Sequence, residues 1–387
     1  MTDPEIMSLG LYIHIPYCRK KCGYCGFVSY PLSCRYVPDA FLASVLQEMQ
    51  MYRTHFGKRR IDTIFIGGGT PSLLSPEQIL KLMQEIRNCF TVAEDAEITS
   101  EANPDSLTEE VVAAMLQSGI NRLSIGAQSM DDALLRKLGR IHQKDAFCRA
   151  YDRARNAGFT NINVDLMFGL PGQTHVQWHS TLQEVLALAP DHLSLYTLQI
   201  EENTPFYEAY KKGTFDLPAL EDDRMMYHDA CEILREAGWE HYEISNFALP
   251  SKQCRHNMKY WNMKPFIGIG PSAASYFEGR RFQNPSSVEE WQSLLKNDHL
   301  VYDDTTPETI ADAMEIFCFT ALRTSDGLDF TRFRERFGIG IEDAYKNDQL
   351  PFEEWIGKGL ARFDADRLIL TEYGIDISND IMSAFMR

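Results

Sequence analysis

Two patterns of hydrophobic and polar residues alternate along the first 200 positions of the chain. Short runs of β-branched and aromatic residues predict strands, and longer stretches with apolar residues every three or four positions predict helices. The predicted strands are Leu11–Pro16, Ile61–Gly67, Ala96–Ala102, Arg122–Gln128, Asn161–Phe168 and His192–Gln199. The predicted helices are Pro38–Tyr52, Pro76–Cys89, Thr108–Gln117, Lys144–Ala157 and Gln177–Leu188. This alternation predicts an α/β fold, a partial (β/α)6 barrel of TIM-like type.

The pattern changes in the second half of the chain. A long helix at Glu221–Ala237 is followed by a predicted seventh strand at His241–Phe247. The last 80 residues or so predict helices at Pro307–Thr320, Asp329–Phe337 and Pro351–Gly359 and a hairpin of Ala361–Asp364 with Arg367–Leu370. We therefore expect a core barrel over residues 1–240, an extension over 241–305 and a mainly helical, winged-helix-like domain over 306–387. Because this domain carries little basic excess, a structural or lid role is favoured over DNA binding.

Composition and charge narrow the class of protein. The 387 residues include 38 basic and 55 acidic ones, and the net charge of −17 argues against general affinity for nucleic acid. No apolar run approaches the ~20 residues of a membrane span. The first seven residues lack the basic and apolar regions of a signal peptide. The odd number of cysteines, nine, fits a reducing compartment better than a disulfide framework, so we expect a cytoplasmic protein.

Three cysteines directly after the first predicted strand carry the strongest chemical signal. Cys18, Cys22 and Cys25 have the spacing C-x3-C-x2-C, with no fourth thiol nearby. Three thiols can bind three irons of a [4Fe–4S] cluster and leave the fourth iron open, for S-adenosylmethionine (SAM) to chelate through its amino and carboxylate groups. A structural zinc site is the alternative, but neither His14 nor Cys34 completes a zinc-type ligand pair.

Further polar motifs follow the other predicted strands. In barrels of this kind, functional groups gather on the loops after the carboxyl ends of the strands. These motifs are Gly67-Gly-Gly-Thr-Pro-Ser72 after the second strand, Glu101-Ala-Asn-Pro104 after the third, Gln128-Ser129 after the fourth, and Asp165 within the fifth, ahead of Gly169-Leu-Pro-Gly172. Their shared position predicts one site at this end of the barrel.

Each motif offers a chemical group that a SAM site needs. The glycine turn lets its backbone approach a ligand closely, although a tight turn for topology alone is the alternative. Glu101 can accept hydrogen bonds from ribose or amino donors, or it can be a buried acid paired with Arg122. Gln128 both donates and accepts, Arg140 can pair with a carboxylate, and Asp165 can accept from ribose hydroxyls.

Together these motifs resemble one branch of the radical SAM superfamily, the branch of oxygen-independent coproporphyrinogen III dehydrogenases and HemW-type heme chaperones. The resemblance rests on YIHIPYC at positions 12–18, the cysteine loop, GGGTPS, EANP, GAQS and NVDLMFGLPGQT, and it covers nearly the whole chain. It implies SAM contacts at Tyr12, Tyr24, Gly68, Gly69, Thr70, Glu101, Gln128, Arg140, Asp165, Gln199 and Ala274.

Three features favour the chaperones over the dehydrogenases. Phe27 stands where the dehydrogenases carry a further cysteine, and only ten residues precede the first predicted strand, where they carry a long extension. The segment His256-Asn-Met-Lys-Tyr-Trp261 matches the H-N-x-x-Y-W motif of the chaperones. The imidazole of His256 is a suitable axial heme ligand, and Tyr260 and Trp261 offer flat surface to a macrocycle. A core hydrogen bond of His256 is the structural alternative.

The sequence therefore predicts a heme chaperone that binds heme and a SAM-ligated [4Fe–4S] cluster and passes heme to an acceptor hemoprotein. Residues 251–265 hold four basic and no acidic side chains, which suits the two heme propionates. This role is compatible with SAM cleavage, with an electron donor of the flavodoxin or ferredoxin type and with a transient contact with a membrane protein. It is also compatible with either a monomer or a homodimer. The alternatives are a coproporphyrinogen III dehydrogenase that uses a 5′-deoxyadenosyl radical, and a protein that opens or methylates heme.

Overall fold

The computed structural model describes residues 8–214, 216–348 and 350–387. The first seven residues, on which the expected absence of a signal peptide rests, lie outside the described residues. Two compact units are present. The first unit comprises the residues up to Ala230 together with Pro265–Thr305, and the second comprises Cys231–Lys264 together with Thr306–Arg387. The division into three domains with boundaries at 240 and 305 stays a prediction.

The first unit is built on a mostly parallel sheet. Its strands are β1 (Leu9–Ile15), β4 (Arg60–Gly68), β5 (Thr91–Ala102), β6 (Arg122–Gln128), β7 (Ile162–Phe168), β8 (His192–Thr197), β11 (Phe266–Ile269), β12 (Ala274–Phe277) and β13 (Arg280–Gln283), and a short pair is formed by β2 (Tyr17–Cys18) and β3 (Tyr30–Pro31). The sheet order in this unit is β13-β12-β11-β1-β4-β5-β6-β7-β8. The six predicted parallel strands are thus confirmed, in chain order from β1 to β8.

The sequence pattern missed the strands on the outer side of β1. There β11 pairs with β1 in parallel, and β12 and β13 follow in antiparallel order. Each of the three has four residues, which is too short for a period of two to be distinguished from a loop.

Helices connect the strands of the first unit. They are α1 (Asp39–Phe56), α2 (Pro76–Cys89), α3 (Glu109–Gln117), α4 (Asp132–Lys137), α5 (Lys144–Ala157), α6 (His175–Ala187), α7 (Pro205–Lys211), α8 (Leu220–Glu236, which continues into the second unit), α10 (Val288–Lys296) and α11 (Val301–Asp304), with a 3-10 turn at Pro71–Leu73. The predicted bounds of α2 and α5 are confirmed to the residue. Helix α2 begins where it does because Ser75 and Gln78 form a reciprocal capping box before Pro76.

The second unit is mainly helical. Its elements are β9 (Glu240–Glu243), β10 (Asn246–Ala248), α9 (Arg255–Trp261), α12 (Ile310–Leu322), β14 (Leu328–Asp329), α13 (Phe330–Phe337), α14 (Ile341–Ala344), α15 (Phe352–Gly357), β15 (Ala361–Asp364), β16 (Arg367–Leu370), α16 (Glu372–Asp376) and α17 (Ser378–Ser383). The three predicted helices and the hairpin are confirmed. Within the described ranges, no helix has both the length and the apolar character needed to cross a membrane.

One predicted strand of this unit was wrong. His241–Phe247 is not continuous, because β9 and β10 form an antiparallel pair with a turn between them. The carboxylate of Glu243 accepts hydrogen bonds from the backbone N–H of Ser245, at 3.1 Å, and from the side-chain amide of Asn246. A side chain that satisfies the turn in this way competes with a continuous strand.

The two sides of the parallel strands differ in chemistry. On β6, Leu123 and Ile125 are fully buried, while Ser124 points to the opposite side. Ser124 pairs in register with Glu101 of β5 and Asn163 of β7, so that the three side chains lie on one side of the sheet. The polar row leads to the carboxyl ends of the strands, where the predicted site residues lie.

Candidate cofactor site at the carboxyl ends of the strands

His14, at the end of β1, holds the cysteine loop in place. Its Nε2 lies 2.9 Å from the carbonyl oxygen of Val28, and its Nδ1 lies 2.9 Å from the hydroxyl of Tyr12. Since a carbonyl only accepts, Nε2 donates to Val28 and Nδ1 accepts from Tyr12. Burial lowers the pKa of His14, which keeps this neutral arrangement. From the sequence, His14 was weighed only as a zinc ligand and rejected, and its role in holding the loop was missed.

The three thiols of the cysteine loop are free and half-buried. Burial raises the pKa of Cys25, and the nearby thiols of Cys22 and Cys18 raise it further. In the described parts of the chain, no group of three or more His, Cys, Asp or Glu side chains is arranged to hold a metal ion. A [4Fe–4S] cluster makes a different demand, since each thiol binds a different iron.

Polar groups from the connections that follow two other strands reach two of these thiols. The hydroxyl of Thr70, after β4, lies 3.5 Å from the Sγ of Cys18. The Nη1 of Arg140, beyond β6, lies 3.7 Å from the Sγ of Cys22. Donors aimed at sulfur stabilise negative charge on cluster thiolates, so this surrounding fits the proposed group.

Asn103 joins these two donors to each other. Its Nδ2 donates to the hydroxyl of Thr70 at 2.9 Å, and its Oδ1 accepts from the Nη2 of Arg140 at 2.7 Å. The same Nη2 donates to the carbonyl oxygen of Gly126 at 2.9 Å. Asn103 belongs to the EANP motif of the sequence, but no role was predicted for it. The one available signal was its place directly after the strand that carries Glu101.

The glycine turn after β4 packs directly against β1. Gly68 has φ +110°, and a Cβ there would lie 2.6 Å from the ring of His14. A Cβ on Gly69 would lie 2.6 Å from the carbonyl oxygen of Tyr17. Close packing within the protein therefore requires both glycines, whether or not a ligand approaches their backbone. This agrees with the alternative interpretation of the motif, a tight turn needed for the topology.

Glu101 faces this turn with an unusual protonation equilibrium. Its Oε2 accepts a hydrogen bond from the backbone N–H of Gly68 at 3.0 Å. Burial raises the pKa of Glu101 to about 8, and the carboxylate of Asp165 contributes in the same direction. The guanidinium of Arg122 acts in the opposite direction, so the alternative partner named from sequence does interact with Glu101. The carboxyl group is mostly neutral at neutral pH.

Asp165 is held by a network of polar side chains around Asn163. The Nδ2 of Asn163 donates to Asp165 and to Ser124, both at 2.7 Å, and Ser124 donates to Asp165 at 3.1 Å. The Oδ1 of Asn163 accepts from the Nδ1 of His192 at 2.6 Å and from Ser194 at 3.2 Å. Burial lowers the pKa of His192 well below its usual range, which makes it a neutral donor. The orientation of Asp165 is thus determined by residues of three strands.

Gln128 ends β6 in a conformation that non-glycine residues rarely adopt. Its φ is +66°, and the register with β7 shifts between Gly126 and Gln128. The amide of Gln128 lies 2.9 Å from the position that a Cβ on Gly126 would take. Bulges and left-handed residues are concentrated at functional sites, where they direct a side chain. The nearby His142 is buried, with its Nε2 3.2 Å from the carbonyl oxygen of Ala127.

Tyr24 anchors the cysteine loop in an apolar cluster. It packs against Leu134, Leu138, Met167, Leu170 and Leu198. The neighbouring Gly23 donates its N–H to Leu138 at 3.2 Å and accepts at its carbonyl from the N–H of Phe206 at 2.9 Å. Burial raises the pKa of the Tyr24 phenol, which therefore stays protonated.

The last two predicted SAM contacts differ in position. Gln199 is exposed, two residues beyond the end of β8. Ala274 begins β12, and its carbonyl oxygen is 2.2 Å from where a Cβ on Gly268 would be. Gly268 pairs in register with Tyr12 of β1, so Ala274 lies near the strand that leads into the cysteine loop. The contacts that link the other predicted residues do not extend to Gln199.

The predicted heme ligand lies in the second unit, on α9, in a closed environment. His256 is 0% exposed, and its Nε2 lies 2.8 Å from the hydroxyl of Tyr260. Lys259, one of the basic residues expected to face the propionates, is buried as well. In this conformation the imidazole is not presented to a macrocycle, and it makes the hydrogen bond of the structural alternative.

Comparisons with known proteins agree along the whole chain. A family model described as "Radical SAM superfamily" matches residues 12–185, and one described as "HemN C-terminal domain" matches residues 309–377. The protein named "Heme chaperone HemW" of Bacillus subtilis is 37% identical over 377 residues, which cover 97% of this chain and 98% of that protein. Its Lactococcus lactis counterpart of the same name is 32% identical, covering 97% and 96%.

A solved structure agrees with the fold. The coproporphyrinogen III oxidase (HemN) of Escherichia coli, titled a radical SAM enzyme, superposes with a TM-score of 0.85 at 25% identity, covering 98% of this chain and 90% of that one. The α/β radical SAM fold with a HemN-type C-terminal domain is thereby confirmed. The proteins named heme chaperone HemW are more similar in sequence to this chain than the E. coli oxidase is, with identities of 37% and 32% over nearly their full length against 25%. The chain belongs to the HemW family of the radical SAM superfamily.

Proposed function

We propose that this chain is a cytoplasmic heme chaperone that binds a SAM-ligated [4Fe–4S] cluster and heme and transfers the heme to an acceptor hemoprotein. The names of its full-length relatives support this role. The observation that carries the cofactor part is the set of bonds by which Asn103 joins Thr70 and Arg140, the two side chains that approach the thiols of Cys18 and Cys22.

In this proposal Cys18, Cys22 and Cys25 each bind one iron of the cluster. When reduced, a cluster of this type can supply an electron that cleaves SAM to a 5′-deoxyadenosyl radical. The residues that would hold SAM are Tyr12, Tyr24, Gly68, Gly69, Thr70, Glu101, Gln128, Arg140, Asp165, Gln199 and Ala274. Arg140 would pair with the SAM carboxylate, and Asp165, oriented by Asn163, would accept from ribose hydroxyls. An acidic or flavin-bearing electron carrier is the donor class that this chemistry needs.

Iron and sulfide analysis after anaerobic reconstitution tests the cluster. We expect about four irons and four sulfides per chain, and a loss of most of both in Cys25→Ala. Cys34→Ala is the matched control, because Cys34 is an exposed thiol outside the triplet. Equal iron content in the two variants would exclude Cys25 as a ligand.

His256 is the proposed axial heme ligand, and the structure adds a condition to that role. Coordination requires that the Tyr260 hydroxyl release Nε2 and that the imidazole leave its buried position. A hemin titration followed at the Soret band should show weaker binding and a shifted band in His256→Ala and no change in His179→Ala, an exposed histidine of α6. An unchanged band and affinity in His256→Ala would exclude the assignment.

Removal of the competing hydrogen bond gives a second test of the same ligand. In Tyr260→Phe the imidazole loses a bond of about 1 kcal/mol, so hemin should bind about fivefold more tightly. Weaker binding would mean that the Tyr260 hydroxyl itself contacts the heme.

The second candidate function is an oxygen-independent coproporphyrinogen III dehydrogenase. The TM-score of 0.85 to the E. coli coproporphyrinogen III oxidase favours it. Against it, Phe27 stands in place of the extra cysteine of that class and is 68% exposed beside the cysteine loop. Reconstituted protein with a strong reductant, SAM and coproporphyrinogen III decides: stoichiometric protoporphyrinogen would establish the enzyme, and its absence with intact SAM binding would support the chaperone.

A further inference from the structure

Four buried side-chain atoms that lie close together in the second unit lack a hydrogen-bond partner among the described residues. They are Trp261 Nε1, Arg323 Nε, Glu243 Oε2 and Asn246 Oδ1. Glu243 and Asn246 are 2% and 3% exposed, whereas Trp261 and Arg323 are half-buried. Each unpaired buried polar atom costs about 1–3 kcal/mol, so four in one place call for an explanation. We name these four side chains the Arg323 cluster.

The four side chains contact one another. The guanidinium carbon of Arg323 lies 4.6 Å from the centre of the Trp261 ring, and its Nη2 lies 3.7 Å from Glu243 Oε2. That distance is an ion pair without a hydrogen bond. Glu243 is bonded to the amide of Asn246 through its other oxygen. The cluster therefore consists of a stacked guanidinium and indole with unused N–H groups, backed by a buried carboxyl group.

This chemistry fits a carboxylate ligand. A guanidinium binds a carboxylate through paired N–H donors, and an indole N–H adds a third donor. Burial raises the pKa of Glu243, although the charge of Arg323 partly offsets the effect. The protonated form can donate to a ligand oxygen instead of repelling it. Trp261 and Arg323 are half-buried, so their side chains border solvent, whereas the unpaired Nε1 and Nε atoms are themselves covered. A carboxylate therefore reaches these two donors only after neighbouring side chains move, as His256 must also move before it can bind iron.

We propose that the Arg323 cluster binds a carboxylate arm of the porphyrin. The proposal rests on the heme-binding function proposed above and adds to it a residue of the C-terminal domain, Arg323 at the end of α12, that no motif in the sequence indicated. The cluster is distinct from the axial ligand. Trp261 follows His256 by five positions on α9, which at about 100° per residue places the two side chains on different faces of the helix.

The separation makes the two contacts testable one at a time with porphyrins that lack iron. Metal-free protoporphyrin IX has the carboxylates but nothing for an imidazole to coordinate, and its dimethyl ester has neither. We expect the wild type to bind the diacid at least about tenfold more tightly than the diester, as charge-assisted hydrogen bonds would give. His256→Ala should keep this preference, since the contact does not involve the imidazole.

Arg323→Gln should abolish the preference, so that diacid and diester bind alike. Arg367→Gln is the matched control, an arginine of the same unit that pairs with Asp329 on the surface and should leave the preference intact. Trp261→Phe keeps an aromatic ring beside Arg323 and removes the indole N–H, so it should reduce the preference severalfold. It also carries the test if Arg323→Gln does not fold.

Three outcomes would overturn the proposal. In the first, Arg323→Gln keeps both the diacid preference and its thermal stability. In the second, Arg323→Gln keeps the diacid preference but loses thermal stability, which would mean that the cluster is structural and binds water. The wild type could also bind the diacid and the diester equally. Hemin binding in that last case would preserve the proposed chaperone function, whereas a diacid preference without hemin coordination would preserve the Arg323 cluster and refute the axial ligand.

Discussion

Raising the pH should strengthen SAM binding through the ionisation of Glu101. The pKa of this carboxyl group is raised to about 8, mainly by burial and secondly by Asp165. About one-tenth of the Glu101 carboxyl groups are therefore ionised at pH 7, and about one-hundredth at pH 6. If Glu101 accepts from the SAM amino or ribose donors as a carboxylate, the apparent Kd equals the intrinsic Kd divided by the ionised fraction.

The affinity contributed by Glu101 should rise about tenfold from pH 6 to 7, about fivefold from pH 7 to 8, and about twofold beyond that. SAM carries an amino group that titrates in the same range, so the informative quantity is the ratio of wild-type to Glu101→Gln affinity at each pH. Isothermal titration of anaerobically reconstituted protein at pH 6, 7, 8 and 9 measures it.

A second variant locates the cause of the shift. In Asp165→Asn the neighbouring charge that raises the pKa of Glu101 is gone, so the midpoint of the profile should move to lower pH even though SAM binds more weakly overall. A wild-type to Glu101→Gln ratio that stays constant from pH 6 to 9 would refute the reasoning, because Glu101 would then bind SAM equally well in both protonation states or not contact it.

Two further predictions concern packing. Gly68 and Gly158 have similar φ values, +110° and +118°, but only at Gly68 would a Cβ meet another residue, the ring of His14 at 2.6 Å. Gly158→Ala should therefore lower the free energy of unfolding by only the backbone strain, about 1–2 kcal/mol in thermal unfolding. Gly68→Ala should lower it by more and should also weaken SAM binding. Equal effects of the two substitutions would contradict the role of packing at Gly68. Glu48 is buried and accepts hydrogen bonds from a backbone N–H at 2.8 Å, an indole N–H at 2.9 Å and a side-chain amide at 2.7 Å. Glu48→Ala leaves three buried N–H groups without their acceptor, so a loss of about 3 kcal/mol is expected, which for a chain of this length is a fall in Tm of about 4 °C. Glu94→Ala, at an exposed position, should leave Tm unchanged. A Tm of Glu48→Ala within about 1 °C of wild type would show that water replaces the carboxylate.

The sequence by itself determined the elements whose signals are local. Helix α2 and strand β6 begin and end where predicted, because a capping box and a run of strand-forming residues act within a few positions. The spacing of Cys18, Cys22 and Cys25 is likewise local, and it indicated the cluster chemistry before any fold was known. The prediction of one continuous strand over His241–Phe247 was wrong, because a turn whose N–H groups bond to Glu243 separates β9 from β10.

Only the tertiary structure decided which distant residues meet. Asn103 and Arg140 are 37 positions apart, and Trp261 and Arg323 are 62 apart, yet each pair is in contact. Periodicity and motif spacing carry no information about such contacts, since hydrogen bonds and stacking between remote segments depend on how the strands and helices pack. For the same reason the sequence could indicate His256 as a heme ligand but not that Tyr260 holds its imidazole in a buried position.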